Sequence, residues 1–105
     1  MPRTRPLTEA GRKAEAVQAQ RQRVVRIICA ATEAYGYDRQ TLADKSGLSI
    51  QALNRRLRGE LDFRMLELCS ISDALGLDAQ SRAALCGAKE KCRFEPGFRA
   101  ETIGA

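Results

Sequence analysis

The segment GLSIQALNRRLRGE, residues 47–60, carries three arginines within four positions and has a glycine near each end. If it forms a helix, Ile50, Leu53 and Leu57 share one face because they are spaced at i, i+3 and i+7. The opposite face consists of Gln51, Ala52, Arg55 and Arg58. Arginine matches the O6 and N7 acceptors of guanine, glutamine matches N6 and N7 of adenine, and alanine can contact the thymine methyl group. The pattern predicts a helix that reads base edges in the major groove, with a solvated basic helix face as the alternative.

The distribution of charge also indicates a polyanionic partner. The 105 residues are enough for one small domain and include 18 Lys or Arg against 13 Asp or Glu, a net charge of +5. Residues 1–26 hold seven basic and two acidic side chains, and residues 39–64 hold six basic and three acidic ones. Positive charge gathered in two blocks predicts a nucleic acid partner more simply than a solvated surface does.

The residue types that most enzymes need are missing from the sequence. It contains no histidine, no glycine-rich phosphate loop and no cluster of metal-ligating residues. The closest pair of cysteines in the sequence is Cys86 and Cys92, which is wider than the C-x2–4-C spacing of structural zinc sites. We therefore expect no enzymatic activity, no metal ion and no cofactor.

The distribution of apolar residues bears on the compartment. No apolar run approaches the ~20 residues that a membrane span needs, and the N-terminus has no hydrophobic signal core. We expect a cytoplasmic protein that does not enter a membrane. Its cysteines are then expected to be reduced, with Cys29 and Cys69 as small apolar residues of the core.

Helix-period patterns recur between glycines, and strand alternation is absent, which predicts an all-α protein. Five helices are expected, at residues 9–35, 39–46, 50–58, 63–75 and 79–86. The first follows Thr8, and the next four follow the capping residues Asp38, Ser49, Asp62 and Asp78. Each helix is expected to end at a glycine: Gly36, Gly47, Gly59, Gly76 or Gly87. Within the fourth helix, the predicted inward residues are Met65, Leu68, Ile71 and Leu75.

The two ends of the chain are predicted to lie outside the central domain. Residues 1–19 form a basic N-terminal arm and helix extension, residues 20–87 the domain, and residues 88–105 a short C-terminal tail. A weak coiled-coil-like seam in the first helix leaves three alternatives for its first half: a helical extension, a surface that packs on a partner, or a frayed end. The tail is either mobile or docked on the domain or a partner, and its apolar residues are Phe94, Phe98 and Ile103.

The run TLADKSGLSIQALNRRLRGE, followed by LELCSISDALGLD, resembles the lambda repressor/Cro-like (XRE family) helix-turn-helix domains. The resemblance covers about residues 20–86 and includes the Leu-Ala pair at 42–43, Gly47, Ser49, Leu53, Gly59 and the Ala-Leu-Gly-Leu run at 74–77. It implies a five-helix lambda-repressor-like domain that binds a duplex DNA operator as a homodimer. Two departures are Arg56, where the family usually has an apolar residue, and Leu57, where it often has an acid.

The family's contacts can be transferred to this sequence position by position. The resemblance implies base reading by Ile50, Gln51, Ala52 and Arg55, whereas the helix-face argument selects the last three and turns Ile50 toward the core. The expected phosphate contacts are Arg39, Ser49, Asn54, Arg56, Arg58 and Arg64. Arg3 and Arg5 in the arm are candidates for the minor groove or for phosphates, with a disordered, solubilising tail as the equal alternative.

The leading hypothesis is a sequence-specific double-stranded DNA-binding transcriptional regulator, expected to be a repressor, that inserts helix 50–58 into the major groove of an operator. The alternative is a helix-turn-helix fold used as a protein-interaction or antitoxin-like module. Three surfaces remain open for dimerisation: the N-terminal seam, the fifth helix and the C-terminal tail.

Overall fold

A computed structural model describes residues 9–89 and 91–98. All regular structure in these residues is helical: α1 Glu9–Ala34, α2 Arg39–Ser46, α3 Ile50–Leu57, α4 Met65–Leu75 and α5 Ala79–Leu85. The predicted all-α, five-helix architecture is confirmed, with most helix ends within one residue of their predicted positions. Within these described residues, no helix combines the length and the apolarity that a membrane span requires.

Three helices begin at the capping residues that the sequence indicates. The Asp38 carboxylate accepts a hydrogen bond from the Thr41 N–H at 2.7 Å, and Ser49 Oγ accepts one from the Ala52 N–H at 3.1 Å. Asp78 caps α5 by accepting from the Ser81 N–H at 2.9 Å. The hydrogen bonds from Thr41 and Ser81 lower the pKa values of Asp38 and Asp78, respectively. Local side-chain chemistry therefore sets where α2, α3 and α5 start.

The predicted cap of α4 is wrong. The helix begins at Met65 with Arg64 as its N-cap, two residues later than expected. The Glu67 side chain accepts a hydrogen bond from the Arg64 N–H at 2.8 Å, which satisfies one of the free donors at this helix start. Asp62 instead accepts a hydrogen bond from Arg21 of α1 at 3.1 Å. Because α4 starts at Met65, Asp62 lies before its N-cap, and the Asp62 carboxylate pairs with Arg21 and does not cap the helix.

The turn after α3 holds the chain in a fixed geometry. Gly59 has φ +83°, a left-handed conformation that favours glycine. Its N–H donates to the Arg56 carbonyl at 3.1 Å, and the N–H of Glu60 donates to the Arg55 carbonyl at 3.0 Å. These two bonds form a Schellman motif, which brings Glu60 back over the last turn of α3.

The core lies where the second half of α1 meets the other helices. α2 packs against α3 and α4, and α1 packs against α4 and α5. Leu53 is the buried residue of α3, and Ile50 and Leu57 pack against the core from its two ends. The fully or nearly fully buried apolar residues include Ile27, Ile28, Ala31, Leu42, Ala43, Leu53, Ile71 and Leu85.

Three predicted core residues lie elsewhere. Met65 is 59% exposed because α4 begins at this residue and only its later turns face the core. Cys29 and Cys69 are both exposed, whereas Cys92 is completely buried. The four cysteines are free thiols. Although Cys29 is exposed, partial desolvation of its thiol raises its pKa, and the charge of Arg39 opposes that shift. Residue type alone does not predict which cysteine is buried. The rotation of α1 and α4 exposes Cys29 and Cys69, and the return of residues 91–98 to the domain buries Cys92.

The two ends of the described chain behave differently. From Ala10 to Ala19 the residues of α1 are exposed, except for Gly11, which is half-buried. The next residue, Gln20, contacts α5, because its side-chain amide donates to the Ala84 carbonyl at 3.0 Å. Residues 91–98 instead dock on the domain. The Arg23 guanidinium lies 2.7 Å from Glu95, and Arg93 donates to the Tyr35 hydroxyl at 2.6 Å. Phe94 also packs edge-on against Tyr35, whereas Ile103, Thr8, Arg3 and Arg5 lie outside the described residues.

Candidate nucleic-acid interface

α3 has two chemically distinct sides. Ile50, Leu53 and Leu57 face the core, so the inner side of the helix is apolar at one residue per turn. Gln51, Arg55 and Arg58 are exposed, and Ala52 is half-buried beside them. Of the four residues predicted to read bases, Gln51, Ala52 and Arg55 lie together on the outer side. Ile50 packs against the core, as the helix-face argument indicated.

The start of α2 is joined to the outer side of α3 by one hydrogen bond. Arg39 Nη1 donates to Asn54 Oδ1 at 3.0 Å, and the Arg39 side chain is exposed. Two predicted phosphate contacts thus lie in direct contact with each other. A phosphate near this point would meet a guanidinium whose orientation is already set by Asn54.

Ser49 lies at the N-terminus of α3, where its Oγ is used to cap the helix. The free backbone N–H groups and the positive end of the helix dipole favour an anion at such a terminus. Ser49 can therefore contribute to phosphate binding through its backbone position and through its hydroxyl, because accepting from the Ala52 N–H leaves the O–H of Ser49 able to donate.

Arg56 is separated from the other arginines of α3 by the rotation of the helix. Its Nε lies 2.8 Å from Glu67 Oε1, and its Nη1 donates to the Ala52 carbonyl at 3.2 Å. The two side chains of the pair are only 12% and 15% exposed. Because the Arg56 guanidinium is enclosed and paired, the structure argues against the predicted phosphate contact. The residue instead joins α3 to the first turn of α4, at the position where the family resemblance implies an apolar side chain.

Glu60 contacts the two other arginines of this segment, Arg55 in α3 and Arg58, which is its C-cap. Its Oε2 lies 2.7 Å from Arg58 Nε, and its Oε1 lies 3.9 Å from Arg55 Nε. All three side chains are about half exposed. Arg64, the N-cap of α4, is also exposed and lies at the end of this same turn. The outer side of α3 therefore presents a cationic surface with one carboxylate at its edge.

Sequence reasoning missed two carboxylates of this region, Glu60 beside Arg58 and Glu67 as the partner of Arg56. Glu60 directly follows the glycine that ends α3, a position whose N–H returns to the last helical turn in a Schellman motif. Glu67 is the third residue after the N-cap of α4, where a glutamate often accepts from the N-cap N–H. The first signal was available from the sequence, but the second was hidden by the wrong start of α4.

The exposed polar groups of the site are of the kinds that bind anions and base edges. Within residues 9–89 and 91–98, no group of three or more Cys, Asp or Glu side chains is placed to hold a metal ion. The exposed groups of α3 and the start of α2 are hydrogen-bond donors and permanent cations, which suit phosphate oxygens and the acceptor edges of bases. No protein-family model, curated protein or solved structure matches this chain.

Proposed function

We propose that this protein is a sequence-specific double-stranded DNA-binding transcriptional regulator that acts, as a repressor, by occupying an operator. The supporting observation is the two-sided α3, whose Leu53 is fully buried while Gln51 and Arg55 are exposed on the other side. A short helix anchored by its apolar side can enter the major groove, which is about 12 Å wide, without exposing its core residues. Its expected compartment is the cytoplasm.

The proposed contacts divide into two kinds. Gln51 and Arg55 choose the sequence through base edges, with Ala52 allowing close approach. Arg39 and Arg58 neutralise phosphates, and Asn54 orients Arg39 through their 3.0 Å hydrogen bond. The phosphate contacts supply affinity that falls as salt rises, because each neutralised phosphate releases counterions from the DNA.

Selection of bound sequences from a random pool of DNA duplexes tests the proposal. We expect an enriched motif whose half-sites contain a guanine for Arg55 and an adenine for Gln51. A homodimer on a palindromic operator predicts two such half-sites about 34 Å, or one helical turn, apart. Recovery of random sequence at the input frequencies would contradict sequence-specific binding.

The second candidate function, a protein-interaction or antitoxin-like module, is supported by exposed apolar groups beside α3. Leu61, Met65 and Leu66 are 41%, 59% and 80% exposed in the turn before α4 and in its first turn. A mainly apolar groove of about 280 Å³ between this turn and α1 includes Leu61 and Phe63. A gel shift with random DNA at physiological salt separates the two candidates, since an interaction module is expected to leave the DNA unshifted even at high protein concentration.

A further inference from the structure

We infer that Glu60 is a built-in counter-ion of the DNA-reading helix, which lowers its affinity for all DNA and must be displaced when phosphates arrive. This inference rests on the proposed DNA-binding function. Glu60 thereby sets both the affinity of the outer side of α3 for DNA and the dependence of that affinity on salt.

The position of Glu60 is set by the backbone. Its N–H donates to the Arg55 carbonyl at 3.0 Å, and Gly59 supplies the left-handed turn that this bond requires. The main chain of Glu60 is therefore held near the last turn of α3, and in the observed rotamer its carboxylate turns toward the arginines. From there it reaches Arg58 at 2.7 Å and Arg55 at 3.9 Å with different oxygens.

The Glu60 pairs can be exchanged for contacts with DNA. The side chains of Glu60, Arg55 and Arg58 are 49%, 54% and 62% exposed, so water and ions reach both ion pairs. Exposed pairs of this kind contribute little to folding. A phosphate can replace the carboxylate on Arg58 without unfolding the turn, but the displaced carboxylate then remains beside the DNA backbone and repels it. Glu60 thus opposes binding both as a competitor for arginine and as a like charge.

The test compares Glu60→Gln with Asp73→Asn, a matched control that also removes one exposed carboxylate from an ion pair. Asp73 lies 2.9 Å from Arg82, so this control pair joins α4 to α5 and involves no residue of α3. Affinities for the selected operator and for a scrambled duplex are measured by fluorescence anisotropy from 0.1 M to 1 M salt. Circular dichroism checks that both variants keep the wild-type helix content.

Removing Glu60 is equivalent to adding about one cationic charge to the binding surface. The slope of log affinity against log salt is then expected to steepen by about 0.9, which corresponds to about an 8-fold gain in affinity at 0.1 M salt that disappears near 1 M. Both duplexes should gain, because the competing carboxylate opposes phosphate contacts at every sequence. Asp73→Asn should change affinity less than about twofold, since the charge that it removes belongs to a pair that includes neither Arg55 nor Arg58.

A double-mutant cycle with Arg58→Gln tests whether Glu60 acts through Arg58. Arg58→Gln should weaken DNA binding more in the Glu60→Gln background than in the wild type, because Glu60 no longer occupies the guanidinium. Equal affinities of Glu60→Gln and Asp73→Asn for DNA that the wild type binds would overturn the inference and leave the proposed function standing. Absence of DNA binding by the wild type, Glu60→Gln and Asp73→Asn alike would overturn both the inference and the proposed function.

Discussion

The arginine–carboxylate pairs around α3 and α1 fall into two groups with opposite surroundings. The inner pairs, Arg56–Glu67 and Arg23–Glu95, have 2.7–2.8 Å contacts and side chains that are 9–15% exposed. The outer pairs are those that Glu60 makes with Arg55 and Arg58 and the pair of Arg21 with Asp62, and their side chains are 45–62% exposed. Enclosed pairs hold segments of the chain together, whereas exposed pairs leave their arginines available to another anion.

Arg55 and Arg56 make this difference clear because they are neighbours on one helix. A rotation of 100° between successive residues turns Arg55 outward and Arg56 toward Glu67. A basic run in a sequence is therefore not a single functional unit. One arginine can contribute to the stability of the domain while the next is available to bind DNA.

The largest expected effect is on stability. Arg56→Ala leaves the Glu67 carboxylate enclosed without its cationic partner, and we expect it to lower the free energy of unfolding by about 3 kcal/mol. The measurement is the midpoint of urea denaturation followed by circular dichroism. The control is Arg58→Ala, whose guanidinium is 62% exposed and whose loss should change stability by less than about 0.5 kcal/mol. Equal losses from the two variants would remove the distinction between inner and outer pairs.

Arg55→Ala should have the converse effect, on DNA binding and not on folding. We expect a loss of about 1–3 kcal/mol in operator affinity and a relaxed preference at one base pair. Arg39→Ala is the matched comparison, because it should weaken operator and scrambled DNA alike and flatten the salt dependence by a slope of about 1. If Arg55→Ala keeps the wild-type ratio of operator to scrambled affinity, Arg55 does not read a base.

The smallest expected effect concerns the second inner pair and its dependence on pH. Burial by itself raises the pKa of Glu95, but the hydrogen bonds from Arg23 and the Cys92 N–H outweigh it, so the pKa lies below the unperturbed value of 4.5. A lowered carboxyl pKa adds stability that is complete above about pH 4.5 and is lost as the pH falls through the folded-state pKa.

Glu95→Gln should therefore cost about 1 kcal/mol of unfolding free energy at pH 7, since the amide keeps one acceptor but loses the charge. The difference between the wild type and the variant should shrink on acidification below pH 4.5, as measured by urea titrations at a series of pH values. A difference that stays constant from pH 7 to pH 3 would show that the Glu95 charge does not stabilise the docked segment.

Much of the fold was accessible from local sequence signals. Asp38, Ser49 and Asp78 cap the helices that were assigned to them, and the glycines that end the helices were placed correctly. The failures came from interactions between distant residues. Asp62 contacts Arg21, which is 41 positions away in the chain, and Cys92 enters the core because residues 91–98 return to α1. Neither contact leaves a pattern within a window of a few residues.

For the candidate site, the helical period of α3 was enough to separate Leu53 from Gln51 and Arg55, because a 3.6-residue repeat and a demand for apolar burial determine which side faces inward. Only the packing of α3 against the start of α4 decided the role of Arg56, since the partner that encloses it, Glu67, comes from the next helix. The same is true of Glu60, whose distances to two arginines depend on how the chain leaves α3. Local chemistry therefore determined the helices and their faces, while the assignment of each charge to folding or to binding depended on which opposite charge the tertiary structure brought within reach.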